Sequence, residues 1–142
     1  TYRDLIVWQK AMQLVTEIYK LTENFPKSET FGLRSQLRRA AISIPSNIAE
    51  GQGRDSSKEF CHHLSIAYGS LTEAETQIQI ASNLGYITKD EAGKVLAQCN
   101  EVGRLLNGLL RSLRVPTDNR QPTTEYAPVY PPRRTANLFI LR

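Results

Sequence analysis

The sequence lacks the features that mark secreted, membrane or metal-binding proteins. Only two of its 142 residues are cysteine, too few for a disulfide framework. Cys61 and Cys99 lie in apolar helical patterns, so two buried free thiols are expected. No apolar run is long enough for a transmembrane helix, and the polar start lacks the basic-then-apolar order of a signal peptide. These absences predict a cytoplasmic protein without a membrane partner.

The chain also has little excess of charge of one sign. Its 18 Lys and Arg residues oppose 14 Asp and Glu residues, which gives a formal net charge of +4 and a pI near 9.2. So mild an excess permits a polyanion partner without requiring one. The hydrophobic and charged fractions, 40% and 23%, are typical of a globular protein, and the length favours one domain.

Four stretches repeat apolar residues at intervals of three and four, the period of an amphipathic helix, and no stretch alternates as a strand would. The first helix is predicted to end near Asn24, because Pro26 disfavours helix at the preceding residue. Its core face is predicted at Leu5, Trp8, Met12, Val15 and Tyr19, widened by Ala11 and Ile18. The second helix is predicted from about Glu29 to Glu50, with its core face at Leu33, Leu37, Ala40, Ala41, Ile44 and Ile48.

The third and fourth helices have sharper local boundaries. Ser56 with Glu59, and Thr88 with Glu91, are capping boxes that predict two helix starts. Gly85 predicts the end of the third helix, and Pro116 that of the fourth. The core face of the fourth is predicted at Ala92, Val95, Cys99, Val102, Leu106, Leu109 and Leu113. Small residues that would allow close helix contacts, within the chain or between subunits, are Ala67, Gly69, Ala74, Gly103 and Gly108.

These patterns predict an all-α fold, an antiparallel up-down four-helix bundle over residues 1–115. Pro45 lies inside the second helix, where its missing N–H and its ring predict a kink. Asn47 is expected to bond a backbone group freed by that kink, and Gly51 and Gly53 are expected to end the helix. Residues 116–142, rich in Pro, Thr, Arg and Tyr, predict an extended tail that forms no core of its own. Its apolar end, residues 138–141, favours docking on a neighbouring subunit or partner, and the alternative is a floppy tail.

Basic side chains cluster on the second and fourth helices. Three arginines lie one turn apart or adjacent on the second helix, two basic residues follow across the next loop, and three arginines recur on the fourth helix at spacings of seven and three, predicted to be one face. The planar guanidinium binds phosphate through paired hydrogen bonds. The candidate nucleic-acid-binding residues are therefore Arg34, Arg38, Arg39, Arg54, Lys58, Arg104, Arg111 and Arg114. The alternative is a solvated face with intrahelical ion pairs, such as Glu50 with Arg54.

No motif indicates a metal, a cofactor or an active site. His62 and His63 are adjacent, so they point about 100° apart on a helix, whereas zinc needs three or four converging ligands. A ribonuclease resembling the HEPN family requires an arginine, four to six intervening residues, then a histidine. Seven residues separate Arg54 from His62, which rotates the histidine by about 100°. A non-catalytic protein is expected, with such a ribonuclease as a remote alternative.

The segment FGLRSQLRRAAISIPSNIAEGQGRDSSKEF carries the motif GLxxQLRRAAxSIPxNIAEGxGR. With LIVWQKAMQLV near the start, it resembles the family of small four-helix-bundle proteins encoded in intervening sequences of bacterial large-subunit ribosomal RNA genes, over about residues 4–114. The resemblance implies a homopentameric ring of bundles without an established enzyme activity. Within the motif we expect binding by the arginines and architectural roles for Pro45, Asn47, Glu50 and Gly51.

The last helix, EVGRLLNGLLRSL, is similar to that of a related branch, the accessory variability determinant of diversity-generating retroelements. That branch forms a basic pentamer and works with a reverse transcriptase and its template RNA. The resemblance therefore implies an accessory protein that binds RNA or an RNA–DNA hybrid and positions a reverse transcriptase. The main alternative is a stand-alone structural protein carried by a ribosomal RNA insertion. Gene neighbourhood distinguishes these two possibilities.

Overall fold

The computed structural model describes residues 1–114, which form four α-helices and two short 3-10 helices and contain no strand. The α-helices are α1 (Ile6–Thr22), α2 (Leu33–Gln52), α3 (Ser57–Asn83) and α4 (Lys89–Arg114). The 3-10 helices, Tyr2–Asp4 and Lys27–Glu29, precede α1 and α2. Consecutive helices pack together and α4 closes on α1, so the predicted four-helix bundle is confirmed. The predicted tail, 116–142, lies outside the described residues.

One apolar core runs through the bundle, and every helix contributes to it. The largest side chains with no more than about 1% exposure are Leu14, Ile18, Leu37, Ile44, Ile48, Leu64, Leu71, Ile78, Val102 and Leu106. Both predicted free thiols, Cys61 and Cys99, are buried. None of the helices in residues 1–114 has a stretch that is long and apolar enough to cross a lipid bilayer.

The predicted core face of α1 is confirmed at Ala11 and Ile18 and wrong at Met12 and Tyr19, because the centre of the buried face is displaced by one residue. The other predicted positions pack against the core from its edge: Leu5, Trp8 and Val15. The buried positions are Val7, Ala11, Leu14, Ile18 and Thr22, whereas Met12 and Tyr19 are 42% and 38% exposed. A shift of one residue rotates a helix by about 100°. Two apolar stripes exist on α1, and the stripe of compact side chains faces the other helices. The aromatic residue Trp8 packs at the edge, where its ring contacts that of Tyr2 at 5.3 Å between centroids.

The predicted starts of α3 and α4 are confirmed by their capping hydrogen bonds. The backbone N–H of Glu59 donates to Ser56 Oγ at 3.1 Å. At α4 the box is reciprocal, because Glu91 N–H donates to Thr88 Oγ1 and Thr88 N–H donates to Glu91 Oε1, both at 3.1 Å. These bonds satisfy N–H groups that would lack a partner in the first turn of a helix.

The end of α3 at Gly85 is also confirmed. Gly85 has φ +76°, a left-handed conformation that glycine adopts without a steric penalty. Its N–H donates to Ser82 O at 3.0 Å, and Tyr86 N–H donates to Ala81 O at 2.9 Å. This pair of bonds is the Schellman motif of a helix C-terminus. It reverses the chain toward α4.

Helix α2 begins about four residues later than predicted. Glu29 belongs to the preceding 3-10 helix, and its carboxylate accepts a hydrogen bond from Leu33 N–H at 2.8 Å. It therefore caps α2 from outside the helix. At the other end α2 continues to Gln52 and its C-cap is Gly53. Of the two glycines predicted to end the helix, Gly53 does so and Gly51 lies within the last turn. Pro45 is buried inside the continuous helix.

The core face of α4 differs from the prediction near its C-terminus. The fully buried residue there is Leu110, while Leu109 and Leu113 are partly buried and pack against the core from its edge. Gly108 is exposed, and a Cβ at this position would meet no atom within 4 Å. The expectation that Gly108 permits a close helix contact is therefore not met within the described part of the chain.

Candidate functional site

Helices α2 and α3 approach each other closely at Gly51. A Cβ placed on Gly51 would lie 2.6 Å from His63 Cβ and 3.0 Å from Phe60 Cδ2. Distances below about 3 Å between such atoms are not tolerated without movement. Gly51 is thus required by contact between two helices, and the predicted architectural role has this physical basis.

Beside Gly51, polar side chains join α2 to α3. The amide nitrogen of Asn47 donates to Ser43 O at 2.9 Å and to Ser43 Oγ at 3.1 Å. Asn47 Oδ1 lies 3.2 Å from His63 Nδ1, and Ser43 Oγ lies 2.8 Å from Ser70 Oγ. Because Asn47 Oδ1 is an acceptor, His63 donates through Nδ1–H. We call these four residues the polar seam.

The predicted partner of Asn47 is corrected by these bonds. Pro45 has no N–H and therefore frees the carbonyl of Ala41, four residues earlier. Asn47 bonds the carbonyl of Ser43 instead. Its role is to link α2 to His63 on α3, which makes it a connector between helices.

Arg38 is engaged in holding α2 against α1. Its Nε donates to Thr22 Oγ1 at 2.8 Å, and one Nη donates to Tyr19 O at 3.1 Å and to Glu23 Oε2 at 3.3 Å. The guanidinium also lies 4.3 Å from the centroid of the Tyr19 ring, a cation–π distance. The side chain is 18% exposed. The expectation that Arg38 remains free for a partner is therefore wrong.

Two other predicted arginines also form ion pairs within the chain. Arg34 contacts the same carboxylate of Glu23 at 3.4 Å. Arg54 pairs with Glu50 at 2.8 Å, with both side chains about half exposed. An exposed pair of this kind contributes on the order of 0.3–0.5 kcal/mol. The predicted alternative of an ion pair between Glu50 and Arg54 is therefore confirmed, although Arg54 lies just beyond the end of α2.

Three of the predicted arginines are exposed and unpaired. The side chains of Arg39, Arg104 and Arg111 have no hydrogen bond or ion pair with any other residue in the described range. Arg104 and Arg111 are seven residues apart and so share one face of α4. Lys58 is exposed in the first turn of α3.

Arg114 departs from that face. It is half-buried beside Cys61 at the start of α3. Burial raises the pKa of the Cys61 thiol, and the adjacent Arg114 guanidinium partly opposes this effect. The predicted single face of three arginines on α4 is thus corrected to a pair.

The unpaired arginines of α2 and α4 lie on different sides of the bundle. Both helices pack on α1 and α3, which places α2 and α4 at opposite corners. Arg39 therefore cannot join Arg104 and Arg111 in one continuous surface on a single copy of the chain. Several copies side by side would be needed to bring such surfaces together.

A groove of about 340 Å³ lies between the outer sides of α2 and α3, next to the polar seam. It is lined by Gln36, Arg39, Ala40, Ser43, Ser70 and Glu73. Of these, only Arg39 was predicted as a site residue. Ser70 and Glu73 have no motif in the sequence, and their relation to Arg39 depends on the packing of two helices.

No metal-binding cluster occurs within residues 1–114, where no three His, Cys, Asp or Glu side chains converge. His62 is exposed, and its ring contacts that of His63 edge-on at 5.8 Å between centroids. His63 is held by Asn47 and Arg54 by Glu50. Of the two residues of the HEPN-like alternative, Arg54 is thus paired with Glu50, and His62 contacts the ring of His63.

Comparison with known proteins places this fold in a family. The family model described as 23S rRNA-intervening sequence protein matches residues 3–108. No curated protein matches. Among solved structures, the chain is similar to a protein with unknown function from the S23 ribosomal protein family of Bacteroides thetaiotaomicron, with a TM-score of 0.67 and 25% sequence identity, over 73% of this chain and 97% of that chain. Since the family model covers most of the bundle, the chain belongs to the 23S rRNA-intervening sequence protein family.

Proposed function

We propose that the protein is a non-catalytic accessory or scaffold protein that binds RNA or an RNA–DNA hybrid. The observation that carries this proposal is the pair Arg104 and Arg111, both exposed and unpaired on one face of α4. A guanidinium without an internal partner keeps all its donors available for phosphate oxygens. The mild positive charge of the chain supports the same class of partner.

The shape of α4 also supports contact with a phosphate backbone. Gly108 lies between the two arginines in sequence, and open space surrounds the position of its missing Cβ. A glycine in a helix interior costs up to about 1 kcal/mol relative to alanine. The packing of the described residues does not explain that cost. A backbone that approaches α4 closely between two arginines would explain it.

We further propose that the working form is a ring of identical subunits, a homopentamer in line with the resemblance noted above. Large apolar side chains on the outer faces support association, because water contact with them is unfavourable. They include Ile6, Met12, Phe31, Ile42, Ile66, Ile80 and Leu84. A ring would repeat the α4 arginines around one axis, and a reverse transcriptase is the proposed protein partner.

The test measures RNA binding by the double variant Arg104→Ala/Arg111→Ala across a series of salt concentrations. Fluorescence anisotropy reports the affinity for single-stranded RNA and for an RNA–DNA hybrid. We expect a loss of at least about tenfold in affinity at low salt and a smaller salt slope, by about one per lost phosphate contact. The matched control is Lys27→Ala/Lys94→Ala, which removes two exposed charges elsewhere. Native mass measurement checks that the assembly is intact.

Absence of binding at low salt, with or without the polymerase, would refute the proposal and favour the stand-alone structural protein. An equal loss of RNA affinity in both double variants would refute the assignment of the α4 arginine face as the binding surface. Co-purification with a reverse transcriptase encoded beside the gene tests the protein partner. Cleavage of the RNA by wild type but not by His62→Ala or His63→Ala would instead support a ribonuclease.

A further inference from the structure

The groove between α2 and α3 differs from the arginine face of α4, because its two walls carry opposite charges. Arg39 stands on the α2 wall and Glu73 on the α3 wall. Within residues 1–114 no ion pair joins them. The groove has a volume of about 340 Å³ and is open to solvent. Its charges are thus available to two ends of one ligand.

The carboxylate of Glu73 is held in place by a buried amide. Gln77 Nε2 donates to Glu73 Oε1 at 3.2 Å. Gln77 is only 6% exposed, and its own Oε1 has no hydrogen-bond partner among the described residues. An unpaired buried acceptor is unfavourable. The bond joins residues one turn apart on α3 and restricts the orientation of the Glu73 carboxylate.

The groove also offers groups that both donate and accept. Ser43 and Ser70 meet across it with their oxygens 2.8 Å apart, and the Gln36 amide lies on the α2 wall. Hydroxyls and amides can rotate or reorient to match either kind of ligand atom. The selective elements are therefore the two charged ends, Arg39 as donor and Glu73 as acceptor.

We infer that this groove holds one unstacked guanine nucleotide of a single-stranded RNA, with its phosphate at Arg39 and its Watson–Crick edge at Glu73. This inference rests on the proposed function and assigns it a base preference. An ionised carboxylate only accepts hydrogen bonds. Guanine presents two neighbouring donors, N1–H and the N2 amine. Adenine and cytosine place an acceptor beside their amine, and uracil has a single N–H between two acceptors. Unstacked bases of this kind are read on their Watson–Crick edges.

The charge of Glu73 also argues against a simple phosphate track in this groove. A carboxylate repels phosphate, so a backbone lying along both walls would be unfavourable. A nucleotide placed across the groove avoids this repulsion, because its phosphate is at one wall and its neutral base at the other. The dipolar groove and the cationic α4 face therefore have different tasks, base readout and backbone contact.

The test compares two uridine-rich RNA oligonucleotides of equal length, one with a single central guanosine and the other with inosine at the same position. Inosine lacks only the N2 amine. We expect wild type to bind the guanosine RNA at least about fivefold more tightly, and Glu73→Gln to bind both equally. Asp90→Asn, an exposed carboxylate change on α4, should retain the preference. Arg39→Ala should weaken both complexes.

Equal affinity of wild type for the two RNAs would overturn the inference, as would a preference that survives Glu73→Gln. Either result, combined with the expected loss in Arg104→Ala/Arg111→Ala, leaves the proposed function standing. If no RNA binds wild type at low salt, both the inference and the proposed function fail.

Discussion

Substitution of Gly51 by alanine should destabilise the bundle, although alanine is the better helix former. The new Cβ would lie 2.6 Å from His63 Cβ and 3.0 Å from Phe60 Cδ2. The new Cβ of residue 51 and the Cβ of His63 cannot rotate away from each other, since each is fixed by its own helix backbone. Relief therefore requires α2 and α3 to separate, which also stretches the 3.2 Å contact between Asn47 and His63.

The magnitude follows from two opposing effects. Replacing glycine in a helix interior gains about 1 kcal/mol from propensity. Overpacking at a rigid contact costs about 1–3 kcal/mol, occasionally more. Since a separation of 2.6 Å is far below ordinary contact, the cost should lie at the upper end. We expect a net loss of about 1–2 kcal/mol in the free energy of unfolding, or roughly 3–8 °C in Tm.

Gly108→Ala is the matched control, because the same atom is added to a helical glycine where nothing lies within 4 Å. It should gain about 0.5–1 kcal/mol. Urea unfolding followed by circular dichroism measures both variants against wild type. The reasoning is refuted if Gly51→Ala stabilises the protein as Gly108→Ala does, since the opposite signs depend only on the helix contact.

Two further predictions concern single hydrogen-bonding groups. Arg38→Lys keeps the charge but cannot bond Thr22, Tyr19 and Glu23 together, so it should lose about 1–3 kcal/mol in urea unfolding; a loss no greater than in Arg39→Lys would contradict the assigned clamp. The backbone hydrogen bond from Thr88 lowers the pKa of Glu91 below its ordinary 4.5, so the stability it gives is present above that pH and is lost as pH falls. The difference between wild type and Glu91→Gln should therefore shrink in acid-unfolding curves, and a constant difference would argue against it.

Local chemistry explains why some boundaries could be predicted from sequence. The starts of α3 and α4 and the turn at Gly85 depend on side chains within four residues of the backbone groups they satisfy. Such motifs have the same meaning in any fold. The start of α2 was not predicted correctly, because its cap comes from Glu29, which lies outside the helix and bonds Leu33 across a turn.

The sequence could not show which of two equally periodic apolar faces of a helix is buried. Helix α1 has two apolar stripes one residue apart, and both satisfy the helical period. The stripe of Val7, Ala11, Leu14 and Ile18 is the buried one in the packed bundle. The large side chains Trp8 and Tyr19 instead lie at the edges. Tyr19 then supports Arg38 through its ring and its carbonyl, a role visible only after the helices are placed.

Two adjacent arginines of one motif therefore have different environments. Arg38 and Arg39 differ by about 100° around α2, which turns the first onto α1 and the second into the groove facing α3. The same rotation separates Asn47, which bonds α3, from the exposed Ser46. Part of the motif thus holds helices together while one arginine stays available. Substitution of Arg39 should consequently weaken RNA binding without lowering the free energy of unfolding. Substitution of Arg38 should instead lower the free energy of unfolding without a direct effect on RNA binding.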